Sequence, residues 1–336
     1  MDVVEFRPER HQYVWTFGGV APSHRITPGT LLRLWTEDAF SGRLTRTGDR
    51  ASEVLDMTQV NPQTGPFYVE GAEPGDTLAL HIVELTPARD WAASTTIPFF
   101  GALTGTDRTA LLNDPLPERT WIYQLDRAKG TVLYEAPSAQ LRLELPLSPM
   151  LGTVGLAPAG REVRSSLVPD KFGGNMDTPE MRAGVTCYLR VNVEGALFSI
   201  GDGHYRQGEG ESCGTAVEGT MDVTLLVELI KAGGGHSAPE WPRIESDTHY
   251  IVVGSARPLE DAWRASQVGM ITWLGELYGL DRLDSYQLLT QISESPLANV
   301  CDTNYSATTK LAKDLLPTGD AFGGMHRHLR ERARDL

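Results

Sequence analysis

Two long runs of alternating apolar and polar residues constrain the fold of this chain more than any other feature. They cover residues 185–194 and 217–229, and a period of two is the pattern of half-buried β-strands. Strands are also predicted at residues 30–36 and 77–85, where a Pro-Gly pair precedes an apolar run. With 34 glycines and 21 prolines available for turns, the chain is expected to be built mainly from strands.

The pattern changes after a glycine-rich segment at residues 233–239. Residues 258–277 are predicted to be helical, with a proline in the first turn and a glycine just beyond the end. Residues 281–292 form a second candidate helix. We therefore expect a mainly β fold, with a β-sandwich or jelly-roll-like body over residues 1–235 that carries the candidate site. A smaller α+β portion with two helices is expected over residues 236–336.

Three further segments show little regular patterning. Residues 94–118 are rich in proline and glycine and are expected to form an irregular insert. Residues 146–183 lack periodicity and are expected to be a long irregular stretch that is either functional or disordered. The basic cluster at residues 326–330 is expected to be an exposed tail.

The charge and cysteine content exclude several classes of function. A formal net charge of −14 would repel a nucleic-acid backbone or an anionic membrane, so neither is expected as a partner. Three widely spaced cysteines argue against a disulfide framework and for a reducing compartment. The chain starts without a signal-peptide pattern and has no apolar run of about 20 residues, so a cytoplasmic protein is expected.

Between the two alternating runs lies a glycine-rich stretch, residues 201–218, that contains several potential metal ligands. They are Asp202, His204, Glu209, Glu211 and Glu218. If residues 202–204 are extended, the side chains of Asp202 and His204 leave the same face and converge. A neutral imidazole with carboxylates is a ligand set for zinc or a similar divalent ion.

Each candidate residue also has an ordinary structural interpretation. Asp202 could lie in a turn, and Glu218 could be a solvated strand residue. Asn175 and Asp177 form a second pair spaced by two, but both residue types are common in turns. Asp38, at the end of an early strand, could cap a turn or complete the site.

Other catalytic arrangements have less support in the sequence. Cys213 follows His204 closely along the chain and suggests a thiol nucleophile, but the sequence does not show that a base contacts it. The chain has no Gly-x-Ser-x-Gly elbow, phosphate-binding loop or dinucleotide fingerprint.

Several longer motifs occur at residues 61–66, 70–76, 152–158, 173–177 and 195–211. The last of them includes Gly201-Asp202-Gly203-His204. In this order, over nearly the whole chain, the motifs resemble those of the acetamidase/formamidase family. One departure is Gly208-Glu209-Gly210-Glu211, where the family commonly has Gly-Asp-Gly-Glu, and the C-terminal helices match only loosely.

The resemblance implies a β-rich fold with an α+β portion, assembly into homo-oligomers, and hydrolysis of short linear amides to a carboxylate and ammonia. It also implies a divalent metal ion near Asp202 and His204, with zinc expected and calcium as the alternative. The expected metal ligands are Asp202, His204, Asp38 and Asp177, and the expected catalytic residues are Glu218, Glu211 and Asn175.

In this hypothesis, Glu218 or Glu211 is the general base, and Asn175 or a backbone N–H stabilises the oxyanion. Two rival hypotheses stay open at this point. One is a non-enzymatic β-sandwich binding protein in which a cation braces the loop, and the other is a metal-independent amidase that uses Cys213.

Overall fold

The computed structural model describes residues 2–104, 112, 114–233 and 236–336. In chain order, the strands are β1 Val3–Phe6, β2 Thr16–Phe17, β3 His24–Ile26, β4 Leu31–Thr36, β5 Gln63–Val69, β6 Thr77–Pro87, β7 Trp91–Thr95, β8 Thr120–Asp126, β9 Thr131–Glu135, β10 Arg142–Pro146, β11 Met150–Gly155, β12 Arg164–Ser165, β13 Gly173–Asn175, β14 Thr186–Arg190, β15 Phe198–His204, β16 Met221–Ile230, β17 Arg243–Glu245, β18 His249–Ala256, β19 Leu297–Asn299 and β20 Tyr305–Ala312. The α-helices are α1 Ala51–Val54, α2 Leu259–Tyr278, α3 Arg282–Ile292 and α4 Met325–Arg334.

A nine-stranded sheet and a five-stranded sheet form the body of the protein. The larger sheet has the order β1-β4-β16-β6-β14-β17-β18-β20-β19, and the smaller one has the order β13-β11-β15-β5-β3. One apolar core joins them, with Leu80 and Ile82 of β6 and Phe198 and Ile200 of β15 among its members. Every second residue of a strand faces the same side, so the alternation in the sequence supplies this core.

The helices cover the opposite face of the nine-stranded sheet. A second apolar core packs Tyr188 and Leu226 of the sheet against Trp273 of α2, Leu289 of α3 and Leu329 of α4. The two expected helices are present as α2 and α3. The expected fold class, mainly β with a smaller α+β portion towards the C-terminus, is confirmed.

The larger sheet continues across the expected division of the chain. Strand β17 pairs with β14, with Glu245 opposite Thr186, and β18, β20 and β19 extend the sheet from there. The boundary at residue 235 itself lies outside the described residues. The helical portion therefore shares one sheet with the body.

Two expectations about irregular segments are wrong. The stretch at residues 146–183 contains β11 and β13, and all six residues of β11 are buried. A strand buried on both faces shows no alternation in sequence, which is why this one lacks a recognisable pattern. The basic cluster at residues 326–330 belongs to α4, which buries His326 and Leu329.

Of the insert expected at residues 94–118, residues 105–111 and 113 lie outside the described part of the chain. None of the helices in the described ranges is long and apolar enough to cross a membrane.

Candidate metal centre

The five-stranded sheet brings the candidate residues together from separate parts of the chain. Strand β11 lies between β13 and β15, and its Thr153 is opposite both Asn175 and Gly201. The start of the glycine-rich stretch is therefore strand, not loop, and all seven residues of β15 are buried. This register places residues 175–177 and 202–204 on either side of β11.

Asp202, His204 and Glu218 form the centre of the site. Nε2 of His204 lies 3.1 Å from Oε2 of Glu218 and 3.3 Å from Oδ1 of Asp202. The three side chains are at most 5% exposed, and neither His204 Nε2 nor Glu218 Oε2 has a hydrogen-bond partner. The convergence expected from the spacing of Asp202 and His204 is present, although Asp202 has a left-handed backbone with φ of 62°.

A second group, which shares His204, adds Asp177 and Glu211. In each group, Asp177–His204–Glu211 and Asp202–His204–Glu218, the potential ligand atoms all lie within 4.8 Å of one another. Oδ1 of Asp177 is a further buried atom without a hydrogen-bond partner. Five candidate residues therefore share one buried centre.

Gly152 of β11 permits the close approach of two of these carboxylates. A Cβ atom at this position would lie inside contact distance of both Asp177 Oδ1 and Asp202 Oδ2. Only a residue without a side chain leaves this space open, so the glycine is part of the construction of the centre.

Asn175 lies behind the carboxylates, and its amide has no free group. Its Nδ2 donates to Oδ2 of Asp177 at 2.6 Å and to Oδ2 of Asp302 at 2.7 Å. Its Oδ1 accepts from Nδ2 of Asn61 at 3.0 Å and from the Thr153 hydroxyl. Both amide hydrogens are therefore used to hold carboxylates, and this geometry fits a positioning role better than the expected contact with an oxyanion.

Asp38 is not part of the cluster that the structure assembles. Its Oδ1 accepts from the backbone N–H groups of Phe40 at 2.9 Å and Gly42 at 3.0 Å, and its Oδ2 pairs with Arg89. It belongs to neither group of potential ligands. The expectation that Asp38 is a metal ligand is corrected on this geometry, because both of its carboxylate oxygens are engaged in capping a turn and pairing an arginine.

Burial controls the ionisation of the acidic residues. Desolvation raises the pKa of Glu218 to about 7, and it raises the pKa of Glu211 and of Asp177 well above the ordinary range. Burial also opposes ionisation of Asp202 and His204, but the attraction of His204 to the carboxylates of Glu218 and Asp202 outweighs it. The pKa of Asp202 is therefore lowered and that of His204 is raised.

Three residues of the site had no clear signal in the sequence. Asn299 is the last residue of β19 and Asp302 follows three residues later, and both are buried. Nδ2 of Asn299 donates to Oδ2 of Asp177 and of Asp302, at 3.3 Å each. Gln207 lies three residues after His204, and this short spacing was the only available indication of its contact with the imidazole.

A small cavity reaches the carboxylates from the protein surface. Its volume is about 50 Å³. Its lining includes the polar residues Asn175, Asp202, Glu211, Glu218 and Asp302, together with the apolar residues Phe40, Met57, Val60, Ile97 and Phe100, here called the apolar wall. The polar cluster is therefore accessible to a small molecule that has an apolar side.

The thiol of Cys213 contacts the backbone carbonyl and the hydroxyl group of Thr215. Its Sγ donates to the carbonyl of Thr215 at 3.1 Å. Within the described residues, the contacts of this thiol give no support to a nucleophile activated by His204.

A divalent cation fits the residues that are present. Buried polar atoms nearly always have a partner, and here an imidazole nitrogen and two carboxylate oxygens point into one centre without one. Asp202, His204 and Glu218 could hold such an ion, as could Asp177, His204 and Glu211. The fold and this centre together define a β-sandwich protein with a buried carboxylate–imidazole site.

Comparison with known proteins identifies the family. Residues 16–164 and 150–291 match the sequence profile described as the Acetamidase/Formamidase family, and the chain belongs to this family.

Solved structures of similar proteins agree in fold over almost the whole chain. The crystal structure of an acetamidase from Yersinia enterocolitica is 38% identical, with a TM-score of 0.87, over 94% of this chain and 93% of that one. An acetamidase from Bacillus halodurans is 29% identical, with a TM-score of 0.81, over 93% of this chain and 98% of that one.

A curated formamidase from Methylophilus methylotrophus is 27% identical over 251 residues, which are 62% of this chain and 61% of the relative. The chain thus spans about three fifths of the length of the curated relatives that it matches.

Proposed function

We propose that the protein is a metal-dependent amidase that hydrolyses a short linear amide to a carboxylate and ammonia. The observation that carries this proposal is the approach of His204 Nε2 to Glu218 Oε2, two buried atoms 3.1 Å apart that both lack a hydrogen-bond partner. A cation held by His204 would satisfy the imidazole nitrogen, and the reacting water would satisfy the neighbouring oxygen of Glu218. The formamidase and acetamidase names of the relatives favour an enzyme over a binding protein with a structural ion.

Asp202 and His204 are the proposed metal ligands, with Asp177 in the adjoining group. Zinc accepts imidazole and carboxylate ligands in small coordination shells, whereas calcium prefers six to eight oxygen ligands. The imidazole therefore favours zinc. When bound, such an ion supplies Lewis-acid chemistry that makes water a nucleophile near neutral pH.

Glu218 is the proposed general base. The backbone N–H of Ala216 donates to its Oε1 at 2.7 Å, while its Oε2 has no hydrogen-bond partner. A pKa of about 7 suits proton transfer in both directions at neutral pH. Glu211, which lines the same cavity, is the alternative base.

The bond changes balance with one water molecule. Glu218 takes a proton from the water as its oxygen bonds to the amide carbon. The carboxyl group then returns that proton to the nitrogen as the C–N bond breaks. The water oxygen and its second hydrogen remain in the acid product, which gives up that proton to the released ammonia, so the products are a carboxylate and ammonium.

The cavity volume supports a small substrate. One water molecule needs about 10–15 Å³ of cavity volume, so a cavity of about 50 Å³ suits a molecule of a few non-hydrogen atoms. Formamide has three and acetamide has four. The apolar wall would contact the acyl group while the amide faces the carboxylates.

Ammonia release from formamide and acetamide tests the proposal. The purified protein is assayed as isolated, after removal of metal with a chelator, and after addition of Zn²⁺. We expect activity that is lost on chelation and restored by the ion, together with zinc in an elemental analysis. Activity that survives complete metal removal would contradict the metal-dependent mechanism. If no short amide yields ammonia, the assignment as an amidase is contradicted. Assembly into homo-oligomers and a cytoplasmic location remain predictions.

A further inference from the structure

The side chain of Gln207 connects His204 to two other segments of the site. Its Oε1 lies 2.9 Å from Nδ1 of His204. Its Nε2 donates to the backbone carbonyl of Asp177 at 2.6 Å and to that of Ala298 at 3.0 Å. One amide thus contacts the end of β15, the segment after β13, and β19.

These contacts fix the orientation of the amide. A backbone carbonyl can only accept a hydrogen bond, so the Gln207 atom that faces the carbonyls of Asp177 and Ala298 has to be the NH₂ group. The atom that faces His204 is then the carbonyl oxygen Oε1. Exchanging the two atoms would put oxygen against two carbonyl oxygens and leave the NH₂ group on the imidazole.

The orientation of Gln207 determines the state of the imidazole in turn. Because Oε1 only accepts, Nδ1 of His204 has to carry a hydrogen and donate it. In the neutral ring, the lone pair is then on Nε2, the nitrogen that lies between Glu218 Oε2 and Asp202 Oδ1.

We propose that Gln207 is a positioning residue that selects the Nδ1–H tautomer of His204 and so presents Nε2 to the cation. This inference rests on the proposed function, since it gives the tautomer a role in metal binding. Hydrogen bonds of this kind orient a ligating histidine and contribute to metal affinity. The same side chain also sets the distance between His204 and the backbone of Asp177, which carries another candidate ligand.

The test is a Gln207→Met variant, which keeps the length of the side chain and removes both kinds of hydrogen bond. Gln267→Met is the matched control, because Gln267 is a buried glutamine on α2 whose Nε2 donates to Ser295 and Thr309, in a different set of contacts. Zn²⁺ affinity is measured by competition with a chelator. We expect a loss of about 10–100-fold for Gln207→Met and no loss for Gln267→Met.

A spectroscopic measurement separates positioning from general destabilisation. In wild-type protein labelled with ¹⁵N-histidine and loaded with Zn²⁺, His204 is expected to carry its proton on Nδ1 and to bind through Nε2. In Gln207→Met, the Nδ1 proton is expected to exchange faster with water or to be lost.

Each outcome bears on one proposal or on both. Coordination through Nδ1 in the wild-type protein, or equal Zn²⁺ affinity in both variants, overturns the role of Gln207 and leaves the amidase proposal standing. A wild-type protein that binds no Zn²⁺ overturns both. If Gln207→Met does not fold, the wild-type spectrum still decides which nitrogen is presented.

Discussion

Asn175 donates a 2.7 Å hydrogen bond from Nδ2 to Oδ2 of Asp302 and so joins two residues that are 127 positions apart. The other hydrogen of the same amide goes to Asp177. Asp302, from the C-terminal portion of the chain, thus helps to orient the amide that holds the carboxylate of Asp177 on the β body. The site is complete only when both portions are folded together.

Replacing Asp302 with alanine is expected to leave one N–H of Asn175 buried without an acceptor. An unsatisfied buried donor costs about 1–3 kcal/mol, so the free energy of unfolding should fall by about that amount, and Asp177 should be held less firmly. Urea denaturation and Zn²⁺ competition measure the two effects. Asp314→Ala, at an exposed position, is the control. Unchanged Zn²⁺ affinity in Asp302→Ala would show that this link supports the fold alone.

The Gly152→Ala substitution tests the close approach of the two carboxylates to β11. The added methyl group would collide with Asp177 Oδ1 and Asp202 Oδ2, and overpacking of this kind costs about 1–3 kcal/mol. We expect Zn²⁺ affinity and amidase activity to fall about 5- to 150-fold, since each 1.4 kcal/mol is tenfold. Gly208→Ala is the matched control, because a Cβ atom there has no neighbour within 4 Å. Full zinc content in Gly152→Ala would exclude this arrangement of the ligands.

Local patterns in the sequence were sufficient for much of the fold and for the centre of the site. Strand β16 could be predicted from its period because less buried residues alternate with buried ones over its first half. Strand β14 also alternates in sequence, although four of its five residues are buried. The spacing of Asp202 and His204 also acts locally, because two residues along one strand share a face.

The remaining features depend on tertiary structure. Strand β11 is buried on both faces, so its residues are uniformly buried and do not alternate. Asp302 lies close to the site because of the position of β19 in the nine-stranded sheet. No local sequence pattern determines that position. Asp38 and Asp177 both follow a strand and looked equivalent in the sequence. The turn N–H groups and Arg89 that contact Asp38 distinguish it from a potential ligand.

Asp38→Asn is expected to lower stability and leave zinc content unchanged, whereas His204→Asn is expected to remove zinc from a folded protein. Loss of the charge at Asp38 breaks the pair with Arg89 and weakens the turn at Phe40, so stability should decrease by about 1–3 kcal/mol while zinc content stays near the wild-type value. His204→Asn removes the imidazole, so zinc content and activity should be lost in a protein that still unfolds cooperatively. Elemental analysis together with thermal unfolding gives both quantities. Loss of zinc in folded Asp38→Asn would restore Asp38 as a candidate ligand.

The apolar wall of the cavity is expected to limit the length of the acyl group. Ile97→Ala removes part of that wall, and each buried methylene is worth about 0.8 kcal/mol. The ratio of kcat/KM for butyramide to that for acetamide should therefore rise about tenfold. Leu103→Ala is the control, because Leu103 is 85% exposed in the same segment. An unchanged ratio in Ile97→Ala would show that the acyl group lies elsewhere.

His81 is expected to make the stability of the protein fall as the pH is lowered. The ring is buried under α4, with Nδ1 2.9 Å from the hydroxyl of Thr186, which in turn is 2.9 Å from Nδ1 of His326. Burial, assisted by His326, lowers the pKa of His81 from 6.5 to about 4. Between these two values, the unfolded chain binds a proton that the folded protein does not.

The direction of the pH dependence of stability follows from this difference in proton binding. Because the unfolded state takes up more protons, the contribution of His81 to stability is complete above about pH 7. It decreases by up to about 1.4 kcal/mol per pH unit towards pH 4. Urea denaturation of the wild type and of His81→Gln at pH 7 and pH 5 isolates this contribution, since the other titrating groups are common to both proteins. The wild type should lose more stability than the variant over this interval, and equal losses would mean that His81 is already protonated in the folded protein.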